Sequence, residues 1–197
     1  MSFRLGLTGS IGMGKSTTAK LFAQAGCAVW DADAAVHRLY APGGAAVAPI
    51  RAVFPDAVQD GAVSRPALKR IIGENPAALH RIEAIVHPLV AQDRADFSAN
   101  ATADILVFDI PLLFETGGDA AMDAVACVTA PAQVQQARVM ERGTMTAEQF
   151  RQIRDKQMPD EEKRARSDFV IVTDTLENAR AQVQDIVDRI RAGLADA

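Results

Sequence analysis

The feature that most constrains this chain is the run Gly9-Ser10-Ile11-Gly12-Met13-Gly14-Lys15-Ser16. It fits the pattern G-x-x-x-x-G-K-[ST] and follows directly on the short apolar segment Phe3 to Thr8. A loop tight enough to wrap a polyphosphate needs backbone N–H groups pointing inward, and Gly9, Gly12 and Gly14 supply the backbone freedom and close approach that such a nest requires. Lys15 is then the point charge for the β- and γ-phosphates and the Ser16 hydroxyl a ligand for Mg²⁺, with Gly12, Met13, Gly14 and Thr17 completing the cradle. Lys15 to Ala25 reads as a helix stopped at Gly26, and Cys27-Ala28-Val29-Trp30 as a second strand. Strand, glycine loop and capped helix in this order predict a nucleoside-triphosphate site; the plain alternative is a glycine-rich turn leading into a helix.

Further apolar, β-rich runs occur at Ile105 to Phe108, Val125 to Val128 and Phe169 to Val172. Helical patterns are expected over 15–25, 32–40, 65–73, 76–98, 131–142, 146–157 and 176–192. This alternation predicts an α/β fold of the P-loop type: a parallel five-stranded sheet with helices on both faces, forming one domain over 1–197. The gap from Ala41 to Ala103 is too long for a simple crossover, so a helical insertion over about 42–100 is expected, bounded by the Pro42-Gly43-Gly44 turn and the Ser98-Ala99-Asn100 stretch. A second irregular point surrounds Arg142-Gly143-Thr144, where one helix stops before another starts at Thr146.

With 197 residues, 49% hydrophobic and 23% charged, the composition is that of an ordinary globular domain. A net charge of −4 argues against a protein whose main task is to hold a nucleic-acid backbone. Cys27 and Cys127 show no metal-type spacing and sit in apolar strand-like runs, which predicts buried thiols in a reducing cytoplasm. The phosphate loop begins too early for a signal peptide, and the most apolar run, Ile105 to Phe114, is broken by Asp109 and Pro111, so no membrane association is expected. Nothing in the sequence sets the oligomeric state, and a monomer is the default expectation.

The second strand ends in Asp31-Ala32-Asp33, at the sheet edge where open α/β folds place ligands. A carboxylate there can take the proton of a substrate hydroxyl or help to hold Mg²⁺; the alternative is a helix N-cap. Asp33 is the favoured base. Ile105-Leu106-Val107-Phe108-Asp109 is a hydrophobic run closed by an acid, in the manner of strands that orient Mg²⁺, so Asp109 joins Ser16 as a metal candidate. Arg138 and Arg142 stand four apart on one helix face, either closing over the phosphates as a lid at about 138–160 or forming a solvated basic face. Arg151, Arg154 and Lys156 extend that basic stretch. Arg65, His80 and His87-Pro88 break apolar helical surfaces in the insertion. The histidines show no zinc spacing, and His37 and Trp30 read as structural and core.

Taken together, the chain resembles the dephospho-CoA kinase family. The likeness runs through Leu7 to Thr17, Asp31-Ala32-Asp33, Ile85-Val86-His87-Pro88-Leu89, Asp109-Ile110-Pro111-Leu112-Leu113-Phe114-Glu115 and Arg138-Val139-Met140-Glu141-Arg142. The resemblance implies transfer of the ATP γ-phosphate to the ribose 3′-hydroxyl of dephospho-CoA, the last step of coenzyme A synthesis, on a nucleotide core with a helical CoA-binding insertion and a mobile lid. By position it implies Asp33 as base, Lys15 and Ser16 as phosphate and Mg²⁺ residues, Arg142 as the lid arginine, and Arg65, His87 and Leu112 on the acceptor side. Where many members carry an Asn near the end of the last strand, this chain has Thr173-Asp174, which leaves the adenine contact open. Another small-molecule or nucleotide kinase would share the loop and lid but not the His-Pro segment in a long insertion. A GTPase-type switch would carry Asp-x-x-Gly and Asn-Lys-x-Asp, and neither occurs.

Overall fold

The computed structural model describes residues 2–195. Along them the chain runs β1 (Phe3–Thr8), α1 (Lys15–Gln24), β2 (Ala28–Asp31), α2 (Ala32–Tyr40), α3 (Val47–Val53), β3 (Val58–Gln59), β4 (Ala62–Val63), α4 (Arg65–Glu74) and α5 (Ala77–Asn100). It continues through β5 (Ile105–Asp109), β6 (Ala124–Thr129), α6 (Ala132–Glu141), α7 (Ala147–Lys156), α8 (Asp160–Arg166), β7 (Phe169–Val172) and α9 (Leu176–Ala195). The chain divides into two compact units, one of residues 31–100 and the other formed by the segments on either side.

In the larger unit the five apolar runs pair in the order β2-β5-β1-β6-β7, the parallel α/β sheet expected from the sequence. β1 lies between β5 and β6, in register from Phe3 opposite Ile105 to Leu7 opposite Asp109 on one side, and from Leu5 opposite Ala124 to Thr8 opposite Cys127 on the other. Leu5, Leu7, Ile105, Val107, Ala126 and Val128 are fully buried, as central strands covered on both faces require. The register also fixes the chemistry: it brings Asp109 to the carboxyl end of β5 beside the strand that feeds the phosphate loop. At the outer edge, the Gln182 side-chain amide accepts from the Val172 N–H and donates to its carbonyl, both at 2.9 Å. A single side chain thus satisfies backbone groups that would otherwise template association.

α1 ends as the glycine at position 26 suggested. The Gly26 N–H donates to the Ala23 carbonyl and the Cys27 N–H to that of Phe22, both at 3.1 Å, the paired bonds of a Schellman stop. Among its buried residues, Leu21 and Phe22 pack with Val183, Ile186, Val187 and Ile190 of α9, whose spacing is that of one helical face. Cys27 and Cys127 are buried and unpaired, and burial pushes their thiols up to about 11 and about 12. Among the described residues no helix is long and apolar enough to cross a membrane.

The unit of residues 31–100 takes in α2 to α5 and has its own core, in which Leu39, Ile50, Phe54, Leu68, Ile82 and Val86 are buried. Arg38 of α2 is held by Asp93 of α5, Nη2 to Oδ1 at 2.6 Å. Two features here go beyond the expected helices. α3 was not foreseen, and β3 and β4 form a small antiparallel hairpin across Asp60-Gly61, both residues at positive φ (49° and 79°), the two-residue turn that twisted hairpins prefer. Two-residue strands are too short to show an alternating pattern. α8 was likewise missed, although its order of charges, Asp160-Glu161-Glu162 before Lys163-Arg164 and Arg166, matches the helix dipole at both ends.

Phe22→Ala removes a fully buried ring between α1, the sheet and α9. It is expected to cost about 3–5 kcal/mol in a denaturant melt; a loss under about 1 kcal/mol would mean that this interface does not carry the core.

Candidate functional site

The glycine loop runs from the end of β1 to the start of α1, and two of its glycines sit where only glycine fits. Gly12 and Gly14 have φ of 79° and 90°, and a Cβ on Gly12 would lie 2.6 Å from Val139 Cγ2, one on Gly14 3.0 Å from Thr173 Oγ1. Between them Met13 is buried, and its sulfur accepts the Ala130 N–H at 3.1 Å while its carbonyl accepts from Thr173 Oγ1 at 2.6 Å. The loop is therefore pinned from behind by the ends of β6 and β7. Gly14 caps the start of α1, so the positive dipole end of that helix faces the loop, a position that favours an anion.

Lys15 Nζ forms an ion pair with Asp109 Oδ1. Asp109 is 1% exposed and the Lys15 side chain 15%, so the two candidates drawn from separate motifs are brought together in one largely dehydrated contact. Ser16 and Thr17 lie exposed on the first turn of α1. Hydroxyl and carboxylate oxygens are the donors Mg²⁺ takes, and among the described residues no three His, Cys, Asp or Glu side chains gather into a cluster. That donor set suits an ion carried in with phosphates and water rather than an all-protein cage.

On the other side of the loop a cleft of about 350 Å³ is lined by residues that include Gly14, Thr17, Arg138, Arg142, Thr173 and Leu176. Arg138 and Arg142, four apart on α6 and at its end, thus share the face that the spacing predicted, and that face borders the loop. Arg138 is aimed by Thr173: Nη1 donates to Oγ1 at 2.9 Å and Nη2 to the backbone carbonyl. The departure at Thr173-Asp174 has a structural account. The Thr173 hydroxyl joins the loop to the α6 arginine, and Asp174 is occupied locally by the Thr175 N–H and the Asn178 amide, each at 2.7 Å. The same hydrogen bonds hold the Asp174 carboxyl below the usual range. The cleft wall after β7, with Thr175, Ala179 and the 57% exposed Leu176, was not identified from the sequence; its position just past the last strand run, at the carboxyl edge of the sheet, was the available signal.

A second group, also missed, lies behind the segment after β5. Lys163 of α8 is fully buried, and its Nζ lies 2.9 Å from Glu115 Oε1 and 3.2 Å from the Pro111 carbonyl, which also accepts from Thr8 Oγ1 at 3.1 Å. Glu115 Oε1 takes the Met158 N–H at 3.0 Å. Burial pushes the Glu115 carboxyl up, and the bonds from Lys163 and Met158 outweigh it, holding the group below its ordinary range. This pairing keeps a buried ammonium satisfied and fixes the Pro111 to Glu115 segment, leaving Leu112 42% exposed at its surface.

The remaining candidates belong to the unit of residues 31–100. Asp31 caps α2, its Oδ1 accepting the Ala34 N–H at 2.9 Å, so the capping role falls to Asp31, and Asp33 lies exposed in the first turn. Arg65 is exposed on the first turn of α4, with its guanidinium 5.6 Å from the Tyr40 ring centre. His87 is exposed on α5, next to Pro88 inside the helix.

A family model described as dephospho-CoA kinase matches residues 3–178. A protein of Ruegeria pomeroyi named dephospho-CoA kinase is 78% identical over 193 residues, covering 98% of each chain, and one of Cereibacter sphaeroides with the same name is 61% identical over 96% of each. Among solved structures, a Thermus thermophilus protein superposes with a TM-score of 0.85 at 32% identity, covering 95% of this chain and 97% of the other. With the motif order, the sheet and the full-length matches in agreement, the chain belongs to the dephospho-CoA kinase family.

Proposed function

We propose that the protein transfers the γ-phosphate of ATP to the ribose 3′-hydroxyl of dephospho-CoA, with Mg²⁺, as a monomer in the cytoplasm and with no nucleic-acid or membrane partner. The observation that carries the reading is the convergence of Lys15, Asp109, Arg138 and Arg142 on the phosphate loop, in a chain of this family. A kinase has little covalent chemistry to perform, so its rate comes from positioning the phosphoryl group and stabilising its charge.

In this reading the amides of Gly12, Met13, Gly14, Lys15, Ser16 and Thr17 cradle the phosphates. Lys15 gives up Asp109 for the β- and γ-oxygens, and Arg138 and Arg142 add positive charge from the lid at about 138–160. Ser16 and Asp109 are the residues that would hold Mg²⁺, which supplies neutralisation of phosphate charge when bound. The base for the acceptor is Asp33: the 3′-oxygen attacks the γ-phosphorus, the bond to the β,γ-bridging oxygen breaks, ADP leaves, and Asp33 takes the hydroxyl proton. Arg65, His87 and Leu112 belong to the acceptor side, with the insertion at about 42–100 receiving the CoA moiety. The distinction between Asp31 and Asp33 supports this assignment, because the capping bond is already made by Asp31.

A coupled assay with ATP, Mg²⁺ and a panel of acceptors checks the reaction. Dephospho-CoA is expected to be the preferred acceptor, with turnover abolished by EDTA; a much faster reaction with adenylate, shikimate or thymidylate would refute the assignment. Lys15→Ala is expected to lower kcat by roughly 10²–10³, and near-normal turnover would show that the loop does not hold the transferring phosphate. Asp33→Asn is expected to lower kcat by roughly 10²–10⁴ with an unchanged thermal melt; a lowered melt with kcat preserved would return Asp33 to a structural role.

A further inference from the structure

The phosphate loop is held at its crown by two side-chain amides that neither the motif nor the reaction accounts for. Gln157, at the end of α7, accepts the Ile11 N–H through Oε1 at 3.2 Å, and Gln135 of α6 donates through Nε2 to the Ile11 carbonyl at 2.8 Å. Both backbone groups of one loop residue, between Ser10 and Gly12, are therefore taken by the α6–α7 segment. We propose that Gln135 and Gln157 form an amide clamp on Ile11 that positions the phosphate loop, coupling its crown to the helix that carries Arg138. The inference rests on the kinase reading above and adds positioning residues to it.

Three observations support a positioning role over incidental packing. Gln135 and Arg138 are three apart on α6 and so share a face, which lets one rigid helix set both the loop crown and the arginine. The Gln157 end is anchored: the next residue, Met158, donates to Glu115, which is held by the buried Lys163. Lys163 in turn holds the Pro111 carbonyl together with Thr8, the residue that enters the loop. The hydrogen bonds thus close a circuit from the start of the loop to its crown. The clamp also borders a cleft of about 420 Å³ shared with Ser10, Arg154 and Asp160, so the Gln157 amide has space beside it and its loss leaves no void in the packed core.

The clamp acts on loop geometry. Affinity for ATP comes from the other loop amides and Lys15, whereas the rate depends on placing the γ-phosphate to better than an ångström, a scale on which misplacement costs up to about 10²-fold. The test is Gln157→Leu, which removes the acceptor and keeps similar bulk. It is read by kinetics, by thermal melt and by NMR hydrogen exchange of the Ile11 amide in the nucleotide-free protein. The expected result is kcat lowered about tenfold, KM for dephospho-CoA within about twofold, an unshifted melt, and an Ile11 amide that exchanges about tenfold faster. Should the leucine variant melt early, Gln157→Met, of matched length, gives the same reading. An Ile11 amide no less protected, or an accelerated amide with kcat unchanged, would overturn the inference. Failure of the kinase reading is separately visible, because the unmodified protein would then be inactive on dephospho-CoA, while the exchange measurement needs no turnover.

Discussion

The ion pair between Lys15 and Asp109 is the contact on which the rest of the site depends. It joins the first turn of α1 to the end of β5, and it exists because the β1–β5 register sets Leu7 opposite Asp109. Two charges are withdrawn from water there, Asp109 almost completely, and removing one partner of such a pair typically costs about 3–5 kcal/mol. The nucleotide-free protein therefore keeps each charge compensated by the other. In the proposed kinase reading, a nucleoside triphosphate with its divalent ion would offer both groups a substitute of the right sign, negative oxygens for Lys15 and a cation for Asp109. Binding would then be an exchange of partners rather than the burial of new charge.

Around that pair the structure is organised to limit freedom. Thr173 takes three tasks with one hydroxyl and one carbonyl: it ties down Met13 in the loop, aims Arg138 and continues the last strand into the cleft wall. Lys163 and Glu115 do the same on the opposite side for the segment after β5. A buried lysine paired with a carboxylate is weak evidence for stability, since a well-packed apolar pair can serve as well. Its bonds to Pro111 and, through Glu115, to Met158 make its contribution one of geometry. The arginines carry charge to the phosphate loop; the neutral glutamines and threonine decide where that charge stands.

Much of this was legible in the sequence because the relevant signals are local. The phosphate loop, the Gly26 stop and the five strand runs each occupy a few contiguous residues with a strong steric or apolar signature, and all appear where expected. The Thr146 start of α7 is equally local, a capping box in which Thr146 and Gln149 satisfy one another's backbone N–H. What escaped is what only tertiary structure creates. Gln135, Gln157, Thr173 and Lys163 are ordinary polar residues until the fold sets them against Ile11, Met13 and Pro111. The β3–β4 hairpin was hidden by its brevity and α3 by its seven-residue length. The ambiguity at Asp31-Ala32-Asp33 was also real at the sequence level, because both acids suit a helix start, and only the hydrogen bond to Ala34 assigns the cap.

The partner exchange at Lys15 is most directly tested by a crystal structure of the protein with Mg²⁺ and a non-hydrolysable ATP analogue. Lys15 Nζ is expected to leave Asp109 and to lie within about 2.9 Å of a β- or γ-phosphate oxygen, with Arg138 and Arg142 on the same side. A bound analogue with the Lys15–Asp109 pair still intact would rule out the exchange of partners.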